Sequence, residues 1–155
     1  MIEVEIEDPA WTSALPGAEA VVQRAGDAAL AQVGTQESEP VVAVLLTDDD
    51  ALADLNQRFR GKDGPTNVLS FPAPANPEGQ VGDIALAFGV CAREAAQQAK
   101  PLEHHLAHLT VHGVLHLLGY DHETDGEAEA MEALERSILE TLGVPDPYAC
   151  EQAEG

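Results

Sequence analysis

The chain has 155 residues, 45% of them hydrophobic, which suits one domain with its own core and excludes a disordered segment. Seven basic against 28 acidic residues give a formal net charge of −21. That is the wrong sign for a broad nucleic-acid-binding face, because phosphate affinity comes from cationic contacts that release counterions. Any chemistry on nucleic acid must therefore be focused at a local site.

No apolar run approaches the roughly 18 residues needed to span a bilayer, and the acidic, alternating start MIEVEIEDPAW is unlike a secretory leader. A cytoplasmic protein with no membrane partner is expected. Cys91 and Cys150 lack the paired spacing of a zinc ribbon or redox motif, so two free thiols are expected.

Ile2, Val4 and Ile6 alternate with acidic residues, the period of a half-buried strand over 2–7. Pro9 and the Leu15-Pro16-Gly17 turn break the chain before an alanine-rich helix over 18–33, with Ala20, Val21, Ala25 and Leu30 on its inner stripe. VVAVLLT at 41–47 is apolar on both faces, which predicts a central strand. Thr47 and the run Asp48-Asp49-Asp50 open the next helix, since short oxygen side chains cap free N–H groups and carboxylates suit the positive end of the helix dipole. This helix is expected to turn Leu52, Leu55 and Phe59 inward and to stop near Gly61.

TNVLSF at 66–71, closed by Pro72, reads as an edge strand, because proline gives no ladder hydrogen bond. PAPANPEGQ at 72–80 reads as a loop and candidate lip, VGDIALAF at 81–88 as a strand, and 90–99 as a short helix ended by Lys100-Pro101. Thr124-x-x-Glu127 forms a capping box for a helix over 125–142, with Met131, Leu134, Ile138 and Leu139 buried and an acidic outer face. The order of elements predicts an α+β fold: one domain over 1–148, a mixed sheet of about four strands with helices packed on it, then a loose tail over 149–155.

Residues 102–122, LEHHLAHLTVHGVLHLLGYDH, carry the chemistry. Imidazoles four apart on a helix lie about 40° from each other around the axis and one turn apart along it, so His112 and His116 can face one point. Gly119 can end the helix in the left-handed conformation and return His122 to that point. Three neutral imidazoles with one open position suit a catalytic zinc, one per chain, or another divalent ion.

His108 is also four residues from His112, but it lies ~12 Å along the axis from His116, too far to share one ion. It is left as a neighbour supporting the ligands, and His104 and His105 as solvated first-turn residues. Burying polar rings in a helix this apolar is costly unless they are satisfied, which favours the metal reading. The zinc-peptidase pattern HExxH puts a glutamate beside its first histidine; here that position is Gly113, which counts against proteolysis.

Arg58, Arg60 and Lys62 form the one basic cluster. They are either a solvated helix end, complementing its dipole, or a phosphate contact. Ser70 on the edge strand is a candidate substrate contact. Asp121 can orient a ligand histidine or cap a turn, and Asp83 is a weaker candidate of the same kind.

Taken together, HGVLHLLGYDH at 112–122, FRGKDGPTNVLSFP at 59–72 and GDIALA at 82–87 resemble the bacterial YbeY family of endoribonucleases, in order over about residues 40–148. The resemblance implies a YbeY-like metallohydrolase domain. Its activity would be metal-dependent, single-strand-preferring endoribonuclease cleavage in ribosomal RNA processing, at the 16S rRNA 3′ end, and in ribosome quality control. It implies Arg60 as the active-site arginine, and as partners the small ribosomal subunit and its RNA, ribosomal proteins and the GTPase Era. Two alternatives stand beside it: a zinc peptidase-like hydrolase, and a ribosome assembly factor with a structural zinc, whose acidity would attract basic ribosomal proteins.

Overall fold

A computed structural model describes residues 1–34, 39–74, 76–121 and 123–147. Strands β1 (Ile2–Ile6), β2 (Val41–Thr47), β3 (Val68–Pro72) and β4 (Gln80–Ala87) form one sheet in the order β1-β2-β4-β3. β1, β2 and β4 run parallel, and β3 lies antiparallel on β4 with Pro72 opposite Gly82. The expected α+β mixed sheet is thus present, with β2 inside and the proline-ended strand at an edge.

Six helices dress it: α1 (Ala10–Ala14), α2 (Ala18–Val33), α3 (Asp49–Arg60), α4 (Phe88–Gln97), α5 (Leu102–Leu117) and α6 (Asp125–Thr141). Side chains alternate across the strands. Val42, Val44, Leu46, Ile84 and Leu86 join α2 and α5 in the main core. Leu69, Ala85 and Ala87 join Leu52 of α3 in a smaller cluster on the other face. α6 packs on α5 and α2. No described helix is long and apolar enough to cross a membrane.

Local signals work where caps are local. Asp48 accepts from Ala51 N at 2.8 Å to open α3, Gly61 closes it at φ +65°, and Thr124 accepts from Glu127 N at 3.2 Å to open α6. Three details depart from expectation. The inner stripe of α2 is Ala18, Val21, Val22, Ala25, Ala29 and Leu30, with Ala20 exposed. The reason is Gly26, whose missing Cβ would lie 2.6 Å from Ile2 Cδ1, so β1 sits against the Val22–Gly26 side.

Phe59 is 64% exposed rather than buried, because it borders an open groove on this sheet face, where its ring meets Phe71 edge-on at 5.2 Å. Helix α1 was not expected from the sequence. It exists to seat Trp11, fully buried, whose indole N–H donates to the Thr47 carbonyl at 2.9 Å.

α4 begins two residues earlier than its sequence suggests, because its N-terminus is capped from another helix: Val90 N donates to Asp49 Oδ1 at 3.0 Å. At its other end Ala99 takes φ +54°, a conformation costing an L-residue roughly 1–2 kcal/mol. Ala99→Gly should therefore stabilise the fold by about 0.5–1 kcal/mol after the unfolded-state entropy of glycine is offset. A raised urea midpoint with unchanged slope is the expected reading.

Candidate metal centre

Helix α5 lies between the sheet and α6, and ten of its sixteen residues are buried. Gly113 lets it approach the sheet: a Cβ there would lie 2.9 Å from Ile84 Cδ1. A glutamate at 113 would be driven toward Ile84 rather than into a site, so the absent peptidase base is also sterically disallowed. His105, His108, His112 and His116, spaced 3, 4 and 4, share one face.

Both rings of the expected pair are anchored by Nδ1. His112 Nδ1 faces Glu135 Oε1 at 2.5 Å, and His116 Nδ1 faces the Tyr120 carbonyl at 3.0 Å. A carboxylate and a carbonyl only accept, so each Nδ1 is the donor, and in the neutral form of each ring the lone pair is at Nε2. Those two Nε2 atoms lie 3.0 Å apart. Two ring nitrogens this close need a cation between them, either a shared proton in an N–H···N bond or a metal ion. Two nitrogens on one tetrahedral zinc are separated by roughly 3.3 Å, so the pair fits a divalent ion.

Gly119, at φ +100°, ends the helix as expected, and Tyr120 N returns to the Leu115 carbonyl at 3.0 Å. The third expected ligand, His122, lies outside the described residues, as does Cys150. The described residues alone present a nitrogen pair and no group of three ligands. Asp121 sits half-buried in the returning turn.

His108 takes the neighbouring role expected of it. Its ring centroid is 6.4 Å from that of His112, against 4.5 Å between His112 and His116, and its Nε2 lies 3.4 Å from Glu135 Oε2. Glu135 itself, fully buried on α6, was missed in the sequence reading. A signal was present: Met131, Glu135, Ile138 and Leu142 follow helical spacing, which puts an acid on the apolar stripe.

His105 is only 3% exposed, not solvated, and its Nε2 meets Glu94 Oε1 at 2.9 Å. Burial pushes its pKa below the ordinary value, opposed in part by Glu94, so the ring is neutral at pH 7. His104 is half-buried. Cys91 is a buried free thiol, held protonated by burial with Glu94 and Asp49 nearby.

A cleft of about 910 Å³ runs from His112 along His108 and His105 to Lys100, between Asn67 and Glu94 on one side and Val144–Pro147 on the other. Ser70 faces α5 and its hydroxyl donates to the Gly113 carbonyl at 3.3 Å, which ties the edge strand to the histidine helix. Asp83 lies on the opposite sheet face, accepting from Gln80 at 3.2 Å, away from the histidines.

Several cations are ion-paired: Arg24 with Glu103, Arg58 with Asp54, Arg93 with Asp49 and Arg136 with Asp146. Arg60 and Lys62, both exposed at the end of α3, form no ion pair among the described residues. Asn56 pins the turn that follows them by donating to the Gly64 carbonyl at 2.9 Å.

A family model described as Endoribonuclease YbeY matches residues 5–143. Curated proteins of that name from a Bradyrhizobium species and from Rhodopseudomonas palustris strain BisB18 are 53% and 54% identical, each over 95% of this chain and 91% of their own length. One from Nitrobacter winogradskyi is 53% identical over 86% of this chain and 74% of its own. The solution structure of TM1509 from Thermotoga maritima shares the fold, with TM-score 0.55 and 24% identity over 92% of this chain and 91% of that one. The chain belongs to the endoribonuclease YbeY family.

Proposed function

We propose that this protein is a zinc-dependent endoribonuclease that cuts single-stranded ribosomal RNA during maturation of the small subunit, in the cytoplasm. The observation that carries the metal assignment is the pair of Nε2 lone pairs facing each other at 3.0 Å, each ring fixed through its Nδ1. Imidazoles in such a set favour zinc, and His122, next after the Gly119 return, is the proposed third ligand. A divalent ion held there supplies Lewis acidity toward a phosphoryl oxygen and lowers the pKa of water.

The chain's own residues supply the rest. Arg60 offers a permanently charged, planar fork for a phosphate, and it precedes the connection to the edge strand that walls the cleft. Lys62 adds a second exposed cation beside it. Arg58, already paired with Asp54, is the weaker contact. In a chain of net charge −21, this local pair is where an anionic substrate gains most.

Arg60→Ala should lower cleavage of a small-subunit RNA fragment by roughly 10²–10³-fold, the usual cost of removing one donor to developing charge. Zinc content and melting temperature should stay at wild-type values, and undiminished cleavage would remove Arg60 from the mechanism. The product ends identify the nucleophile: a 2′,3′-cyclic phosphate marks the RNA's own 2′-hydroxyl, and its absence marks water.

A partner reading has its own support and is compatible with the first. On the other sheet face, a groove of about 720 Å³ is floored by Ala43, Leu45 and Ala85, closed by Phe59 and Phe71, and rimmed by Glu3, Glu5 and Asp83. An apolar floor with an acidic rim suits a basic protein, the chemistry of ribosomal proteins. Association with these, and with the GTPase Era, belongs to the same proposal. The peptidase-like reading has no comparable support, since position 113 faces the sheet.

A further inference from the structure

We infer that Glu135 is a positioning residue of the metal centre, and that His108 aims it. The inference rests on the zinc reading above and extends it to residues that do not touch the ion. Glu135 is fully buried on α6, and its two oxygens are divided: Oε1 meets His112 Nδ1 at 2.5 Å and Oε2 meets His108 Nε2 at 3.4 Å. A carboxylate is expensive to bury, and it is retained where its charge is used.

Here it does three things at once. It fixes the tautomer of His112, so the lone pair is at Nε2. It fixes the ring plane, so that lone pair meets the one from His116. It also makes the imidazole a stronger donor, since negative charge at Nδ1–H raises electron density at Nε2.

His108 completes the chain. A carboxylate held by one contact can rotate about its terminal bond, and the second contact from one turn upstream on α5 restrains that rotation. His108 and His112 are four apart on one face, so a single acid from α6 reaches both. Helices α5 and α6 are thereby registered against each other through the same group that orients the ligand. His116 is oriented from its own turn, by the Tyr120 carbonyl four residues on.

The test is zinc affinity by competition with a chromophoric chelator, together with the visible spectrum of the cobalt-substituted protein. Melting of the metal-free protein serves as the folding control. Wild type should bind one zinc, and His116→Ala should bind none tightly. Glu135→Gln keeps the size and one acceptor oxygen for His112 while removing the charge and the second acceptor, and should weaken zinc about 10–100-fold and shift the cobalt bands. His108→Phe should weaken zinc by a smaller factor.

Zinc affinity and cobalt spectrum unchanged in Glu135→Gln would overturn the inference while leaving the metal assignment intact. Zinc lost in His108→Phe as fully as in His116→Ala would make His108 a ligand and overturn its assigned place. Failure of wild type to bind zinc at all would overturn the metal reading and this inference together.

Discussion

His116→Ala should leave a folded protein that retains no tightly bound zinc and cuts RNA about 10³-fold more slowly. The magnitude follows from the role. A Lewis acid contributes several kcal/mol to stabilising charge at a phosphoryl group, and each 1.36 kcal/mol is a factor of ten in rate. His116 Nε2 is one of two described nitrogens that converge, so its loss takes one imidazole from a proposed three-histidine set, and two imidazoles hold zinc far less tightly than three. The fold should survive because α5 is held by Leu106, Val111, Val114 and Leu115, all fully buried, not by the half-buried His116. Cleavage assayed beside zinc content and thermal melting separates the outcomes. Wild-type cleavage would remove metal from the mechanism, and a chain that no longer folds would make the zinc structural, as the assembly-factor reading requires.

Gly82→Ala should destabilise the protein by about 3 kcal/mol, the upper range for an overpacked core, and lower its melting temperature by roughly 6–12 °C. A Cβ at 82 would stand 2.5 Å from Leu117 Cδ2 and 2.6 Å from the Phe71 carbonyl oxygen. Leu117 could rotate, but the carbonyl is backbone of the paired edge strand and cannot move without breaking the β3–β4 ladder. Relief therefore requires either loss of that pairing or displacement of α5. Both disturb the cleft, because Ser70 of the same edge strand is bonded to Gly113 of α5. Equilibrium denaturation gives the stability, and a loss under 1 kcal/mol would mean the sheet and helix are less closely seated than described.

Much of this was legible in the sequence because the determinants are local. Asp48, Gly61 and Thr124 mark helix ends within one turn of themselves, and the 112/116 spacing with Gly119 places two rings and a return without any knowledge of the sheet. What was illegible depends on partners far along the chain. The cap of α4 comes from Asp49, 41 residues away, and α1 is justified only by the contact of Trp11 with Thr47. His105 looked like a solvated first-turn residue until Glu94 on the preceding helix was brought against it. Phe59 fitted an inward stripe, but a stripe does not reveal that the sheet face beneath it is left as an open groove. Glu135 resembled its acidic neighbours, and its spacing with Met131 and Ile138 gains meaning only once a histidine stands opposite.

The strand order has a consequence for synthesis. β4 lies between β2 and β3 in the sheet, although it follows β3 in the chain. As the polypeptide leaves the ribosome, residues 68–72 therefore emerge before the strand they pair with. They have no strand to pair with until Gln80–Ala87 has also emerged. The parallel β1–β2 pair, whose partners lie about forty residues apart, can form first, with N-terminal segments generally folding ahead of later ones. α5 must then close over Gly82 and Ile84 before Ser70 and Gly113 meet. A nascent chain shorter than about 117 residues therefore carries Arg60 but not the whole of the histidine helix.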